Sequence, residues 1–94
     1  MSVVTLPAYF ESLLDTPFLL LALNKLPLQL SAVKIARHST PEHPSFSLHF
    51  QGPREPALEQ QTYAMQMQDG AVMDIFIVPI ASDARGMQYE AVFN

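Results

Sequence analysis

The chain contains no cysteine. That excludes disulfides and thiolate zinc sites, and it fits a reducing compartment. Charge is also scarce: 15% of residues are charged, against about 25% in an ordinary globular protein. So few charges do not coat a small domain, so part of the surface is neutral-polar or apolar, a bias toward a protein partner. There is no excess of basic charge, with five Lys/Arg against nine Asp/Glu and a net charge of −4. Lys25, Lys34, Arg37, Arg54 and Arg85 are scattered, with no basic stripe interleaved with aromatics, which argues against nucleic-acid binding. Long hydrophobic runs are missing too. The longest strongly apolar run, Phe18 to Leu23, falls far short of the roughly twenty residues of a membrane helix. The N-terminus shows neither a basic n-region nor a cleavage site of a secretory signal. These absences favour a cytoplasmic protein without membrane insertion.

What is present is alternation. Met87-Gln88-Tyr89-Glu90-Ala91-Val92-Phe93-Asn94 alternates apolar and polar almost to the last residue, which reads as a strand that a neighbouring strand must hold. The same period-2 pattern recurs upstream. The 94 residues, 49% of them apolar, therefore predict one mainly β domain over 1–94. The expected architecture is a six-stranded up-and-down antiparallel sheet, curled into a small barrel or half-barrel, with one short N-terminal helix.

The helix is predicted over about 5–14. Thr5 is a candidate cap, Pro7 suits the first turn, and Leu6, Phe10 and Leu13 share one face. A helix this short needs a sheet to dock on. Strands are predicted over about 18–23, 28–37, 45–51, 61–67, 71–80 and 87–93. The first is expected to be buried on both sides or to lie under the helix. In the second, Leu28 and Leu30 keep one phase while Val33 and Ile35 keep the other, which requires a β-bulge near Ser31-Ala32. In the third, Phe46, Leu48 and Phe50 face one way and Ser45, Ser47, His49 and Gln51 the other. Tyr63, Met65 and Met67 face inward on the fourth. Pro79 marks the fraying end of the fifth. Met87, Tyr89, Ala91 and Phe93 face inward on the sixth.

The Asp69-Gly70 turn decides a register. A two-residue loop pairs Met65 with Asp74 and puts a carboxylate on the apolar face. A three-residue loop, Gln68-Asp69-Gly70, pairs Met67 with Ala71, Met65 with Met73 and Tyr63 with Ile75. Two-residue loops are commoner for Asp-Gly, but one slip inverts every side chain, so the three-residue loop is predicted. Phe76 and Val78 then face outward, as does Val92. The short helix is expected to leave part of this patch open. Together with the neutral Gln66 and Gln88, the three residues form the candidate interaction surface.

Candidate chemistry is thin. His38, His43 and His49 lie close in sequence with Glu42 among them, but two are in a proline-rich loop without fixed spacing, so they read as solvated histidines and not as metal ligands. Ser47 and His49 share a strand face, yet no nucleophile elbow or third member accompanies them. Asp74 and Glu90 read as solubilising charges, not as a hydrolytic carboxylate pair. No catalytic residue, metal ligand or cofactor site is assigned. Met65, Met67, Met73 and Met87 cluster in the last three strands, and methionines serve both irregular cores and adaptable binding surfaces.

Several segments together carry a resemblance: Phe46-Ser47-Leu48-x-Phe50-x-Gly52-Pro53, Gln60-x-Thr62-Tyr63, Ile75-Phe76-Ile77-Val78-Pro79-Ile80 and the closing Tyr89-Glu90-Ala91-Val92-Phe93-Asn94. The sequence resembles a family of small bacterial proteins known only as a domain of unknown function. It departs from the family pattern at Gln61, where glycine is usual, and in the turn at residues 68–71. The resemblance implies no catalytic residues, and it implies a setting near phage-tail-like collar proteins. The expected function is a non-catalytic protein-interaction or assembly module, with a protein partner or self-association. The alternative is a binder of a small apolar ligand in a methionine-lined cavity, and a lesser one is a hydrolase using the Ser47/His49 face.

Overall fold

The computed structural model describes residues 7–94. Its elements are a short helix α1 (Pro7–Glu11) and strands β1 (Pro17–Leu20), β2 (Leu26–Ile35), β3 (Phe46–Gly52), β4 (Gln61–Gln66), β5 (Val72–Asp83) and β6 (Gly86–Phe93), with a 3-10 turn at Leu21–Leu23 between β1 and β2. All strand pairings are antiparallel. The class is mainly β, as the alternation predicts.

The strand order departs from the up-and-down expectation. Around a closed ring it runs β1-β2-β3-β6-β5-β4, with β4 pairing back to β1. β3 therefore neighbours β6, not β4. The reason lies in residues 53–60, which cross the mouth of the ring from β3 to the diametrically opposed β4. Leu58 drops into that mouth and is buried, and its backbone N–H donates to the Tyr89 hydroxyl at 2.8 Å. Tyr63 ties the same segment by donating to the Glu59 carbonyl at 2.9 Å. The crossing thus closes one end of the core and supplies partners for two buried phenols.

The helix closes the other end. Phe10 is fully buried, with ring centroids 6.4 Å from Phe18, 5.8 Å from Phe46 and 5.5 Å from Phe93, all within the range of favourable aromatic pairs. The helix ends at Glu11, earlier than predicted, yet Leu13 is still buried in the turn that follows. Thr5 and Leu6 lie outside the described residues. Tyr9 lashes the helix to the β4–β5 turn by donating to Asp69 at 2.8 Å.

Inside the ring lie Leu20, Leu28, Leu30, Leu48, Phe50, Met65, Ile75, Ile77 and Tyr89, each less than 2% exposed. Phe46 and Tyr63 join them. Phe93 is only half-buried, because it sits at the rim and stacks flat on Phe46 at 4.9 Å. The bulge falls where the phase change requires it, between Leu30 and Ala32. The first strand is shorter than predicted. It ends at Leu20, and Leu21 and Leu23 are each 38% exposed. The fifth is longer: β5 runs through Pro79 to Asp83, and Ile80 is the bulged residue opposite β6.

The β4–β5 connection is the three-residue loop. Met67 pairs backbone to backbone with Ala71, Met65 lies opposite Met73 and Tyr63 opposite Ile75. Gly70 takes φ +92°, a conformation that glycine adopts without strain. Gly86 opens β6 at φ +131°, and a β-carbon there would collide with the Gly52 carbonyl.

Candidate interaction surface

In a closed ring the inward phase of each strand fills the core and the outward phase meets solvent. β5 breaks the usual contrast. Its inward residues Ile75 and Ile77 are buried, yet its outward positions are apolar too: Val72 is 54% exposed, Phe76 50% and Ile80 45%, with Val78 half-buried. Asp74 is the single charge among them. On β6, Val92 is 61% exposed. The β5–β6 ladder starts at Val78 opposite Glu90, and carrying that register two residues further brings Phe76 level with Val92. Half of the eight exposed large apolar residues of the described chain lie on these two strands, so the exposure is concentrated.

The helix does not cover this face, because it is spent on the ring opening. Phe76, Val78 and Val92 are thus brought together on the outside, as the turn register predicts. Gln66 and Gln88 are not beside them. Gln66 lies opposite Val72 at one end of β5, and Gln88 lies opposite Ala81 at the other, where its amide donates to the Asp83 carboxylate. Val72 and Ile80 take the places that the glutamines were expected to fill. Their even-numbered spacing with Phe76 and Val78 is the signal that marks them.

Beside the apolar stripe, His49 Nε2 and Glu90 Oε2 are 3.1 Å apart across the β3–β6 pair, both half-buried. Ser47 lies opposite Val92. Asp74 and Glu90 do not meet. Asp74 is four residues along β5 from Val78, the partner of Glu90, a separation of about 13 Å at strand rise. Among the described residues no three His, Asp or Glu side chains converge as a metal site would require. A depression of about 320 Å³, lined by Lys34, Ile35, Glu90 and Val92 among others, opens on the flank of the stripe. Of the four clustered methionines, Met65 and Met67 are buried in the packed core, and Met73 and Met87 are packed against it.

Two carboxylates at the turns are held in the ionised form. Asp69 has a lowered pKa because it accepts the Ala71 N–H and the Tyr9 hydroxyl. Asp83 is lowered chiefly by the Arg85 N–H. Burial, then the Asp69 hydrogen bond, pushes the Tyr9 phenol up to about 12. Burial and the Glu59 charge raise Tyr63.

The model of a family described as a domain of unknown function, DUF6916, matches residues 6–93. The chain belongs to that family. No curated protein and no solved structure matches this DUF6916 domain. Among its described residues no helix is long and apolar enough to cross a membrane.

Proposed function

We propose that the DUF6916 domain is a non-catalytic protein-interaction or assembly module that receives its partner on the outer face of β5 and β6. The observation that carries this reading is the apolar outward phase of β5, Val72, Phe76, Val78 and Ile80, on a strand whose inward phase already fills the core. Exposed apolar groups concentrated in this way mark contact surfaces, and the low charge of the stripe matches the composition of interface centres. The tail-like assembly setting is part of the proposal and draws its support from the resemblance noted above. The ligand-binding alternative has less support, since the methionines that would line a cavity are packed with their neighbours.

A photoreactive phenylalanine analogue tests the proposal in cells that make the protein natively. Placed at position 76, it should give a discrete covalent adduct with one protein species, while the same analogue at Arg54, in the crossing segment, should not. Equal labelling from both positions, or none from position 76, would reject the assignment of this face.

A further inference from the structure

The outward phases of β1, β2 and β3 carry a depression that shares no residue with the apolar stripe. It measures about 400 Å³ and opens over Pro17, Pro27, Gln29 and Gln51, a volume within the range of small-ligand sites. Its floor is uncharged. Pro17 stands opposite Gln29, and Gln29 opposite Gln51, so the three form one row across three strands. The protein's own bonds hold both glutamines in place. Gln51 Nε2 donates to the Gly52 and Met87 carbonyls at 3.2 and 3.1 Å, and Gln29 Nε2 donates to the Asp15 carbonyl at 3.3 Å. A side-chain amide has two N–H donors and one carbonyl oxygen. Gln51 has thus committed both donors, and its Oε1 is left as an acceptor, as is that of Gln29.

Charge sits at the two ends of the row. Among the described residues that line the depression, Asp15 and Arg85 are the only ionisable ones. Asp15 precedes β1 and is exposed. Arg85 lies in the β5–β6 turn, its side chain 74% exposed and its guanidinium 3.7 Å from Asp83. That pair is loose and leaves guanidinium donors for a second carboxylate. The order along the depression is therefore carboxylate, acceptors, guanidinium, with proline rings as the apolar wall. We propose that it binds a short free peptide as the zwitterion. The terminal ammonium lies at Asp15, backbone N–H groups donate to the glutamine Oε1 atoms, and the terminal carboxylate lies at Arg85. From β1 to β3 the row spans two strand spacings, about 10 Å. An extended chain advances about 3.3–3.6 Å per residue, so three or four residues join the two charges and two do not.

Titration of the isotopically labelled full chain with trialanine, followed by its amide chemical shifts, tests this. Trialanine should shift Asp15, Gln29, Gln51 and Arg85 and leave Phe76 and Val92 unmoved. N-acetyl-trialanine and trialanine amide should each bind about fivefold more weakly, the effect of losing one exposed ion pair, and dialanine should bind no better than either. Asp15→Asn keeps a residue type that tolerates the φ of 65° at this position; it should bind trialanine and the N-acetyl form equally. Arg85→Gln should bind trialanine and the amide equally. Weakening by amidation alone, with acetylation harmless, would assign the site to the C-terminus of a protein chain and overturn the free peptide. No shifts at millimolar trialanine, or shifts indifferent to both caps, would overturn the site, and neither result touches the β5–β6 face.

Discussion

At the scale of single residues, burial phase controls what a substitution does. Leu48 is fully buried at the centre of β3, and Leu48→Ala should cost about 2–5 kcal/mol in urea unfolding, the range for truncating a packed core side chain. Phe76 has the larger side chain but faces out, so Phe76→Ser should stay within about 0.5 kcal/mol of wild type, as surface substitutions do. Reversed magnitudes would mean that the phases of β3 and β5 had been exchanged. Tyr9 gives a pH signature. Its phenol rises from the ordinary 10.0 to about 12 on folding, so the folded state holds the proton more tightly than the unfolded one. The stability this contributes is fully present below pH 10 and is lost as the pH climbs toward about 12. Tyr9→Phe should therefore flatten the alkaline decline, measured as the difference between the two stability–pH curves, because Tyr63 declines in the same direction in both proteins. The core positions Phe46, Leu48, Phe50, Tyr63, Met65, Ile75 and Ile77 were legible from alternation, since each strand repeats its phase several times. Leu58 was not legible, because a lone leucine after Pro56-Ala57 has no periodicity to reveal a buried role.

At the scale of elements, the ring has one weak seam. β3 and β6 share seven paired positions, whereas β1 and β4 share two, Leu19 with Gln66 and Leu20 with Met65. Local opening begins where few backbone bonds and contacts must break. Amides bridging β1 and β4 should exchange with deuterium well before those bridging β3 and β6, and equal protection of the two ladders would show that the ring opens only by global unfolding. The hairpin β4–β5 was readable because turn and apolar phase agree on a single register. The bulge in β2 was readable because two phases in one strand leave no other solution. Strand order around the ring was not, since it depends on where residues 53–60 travel, and a proline-rich segment carries no pattern that selects its destination. β5 is expected from the sequence to fray at Pro79 and stop at about residue 80, because a proline lacks a donor. The bulge at Ile80 absorbs that loss and lets pairing resume at Ala81.

At the scale of the whole molecule, the domain is closed at both ends by its own chain, with Phe10 at one mouth and Leu58 at the other. Its stability rests on this packed interior, and no His/Asp/Glu cluster among the described residues offers a metal a structural part. Thermal melts with and without a chelator should superimpose; a lower melting temperature in chelator would reveal a bound ion that contributes to folding. The apolar face was half legible. Parity places Phe76, Val78 and Val92 on it, whereas Gln66 and Gln88, uncharged but paired at the two ends of β5, lie away from its centre, and Val72 and Ile80 extend it. Closure of the ring leaves no full-length strand edge to which a partner could add a strand. A partner on the proposed face would then be recognised chiefly through side chains. The two phases of β5 thus bear separate loads: Ile75 and Ile77 are buried and hold the scaffold together, while Val72, Asp74, Phe76 and Val78 face outward and set the chemistry of the surface without entering the core. Such a scaffold lets the outer surface be rewritten one residue at a time with the interior left intact.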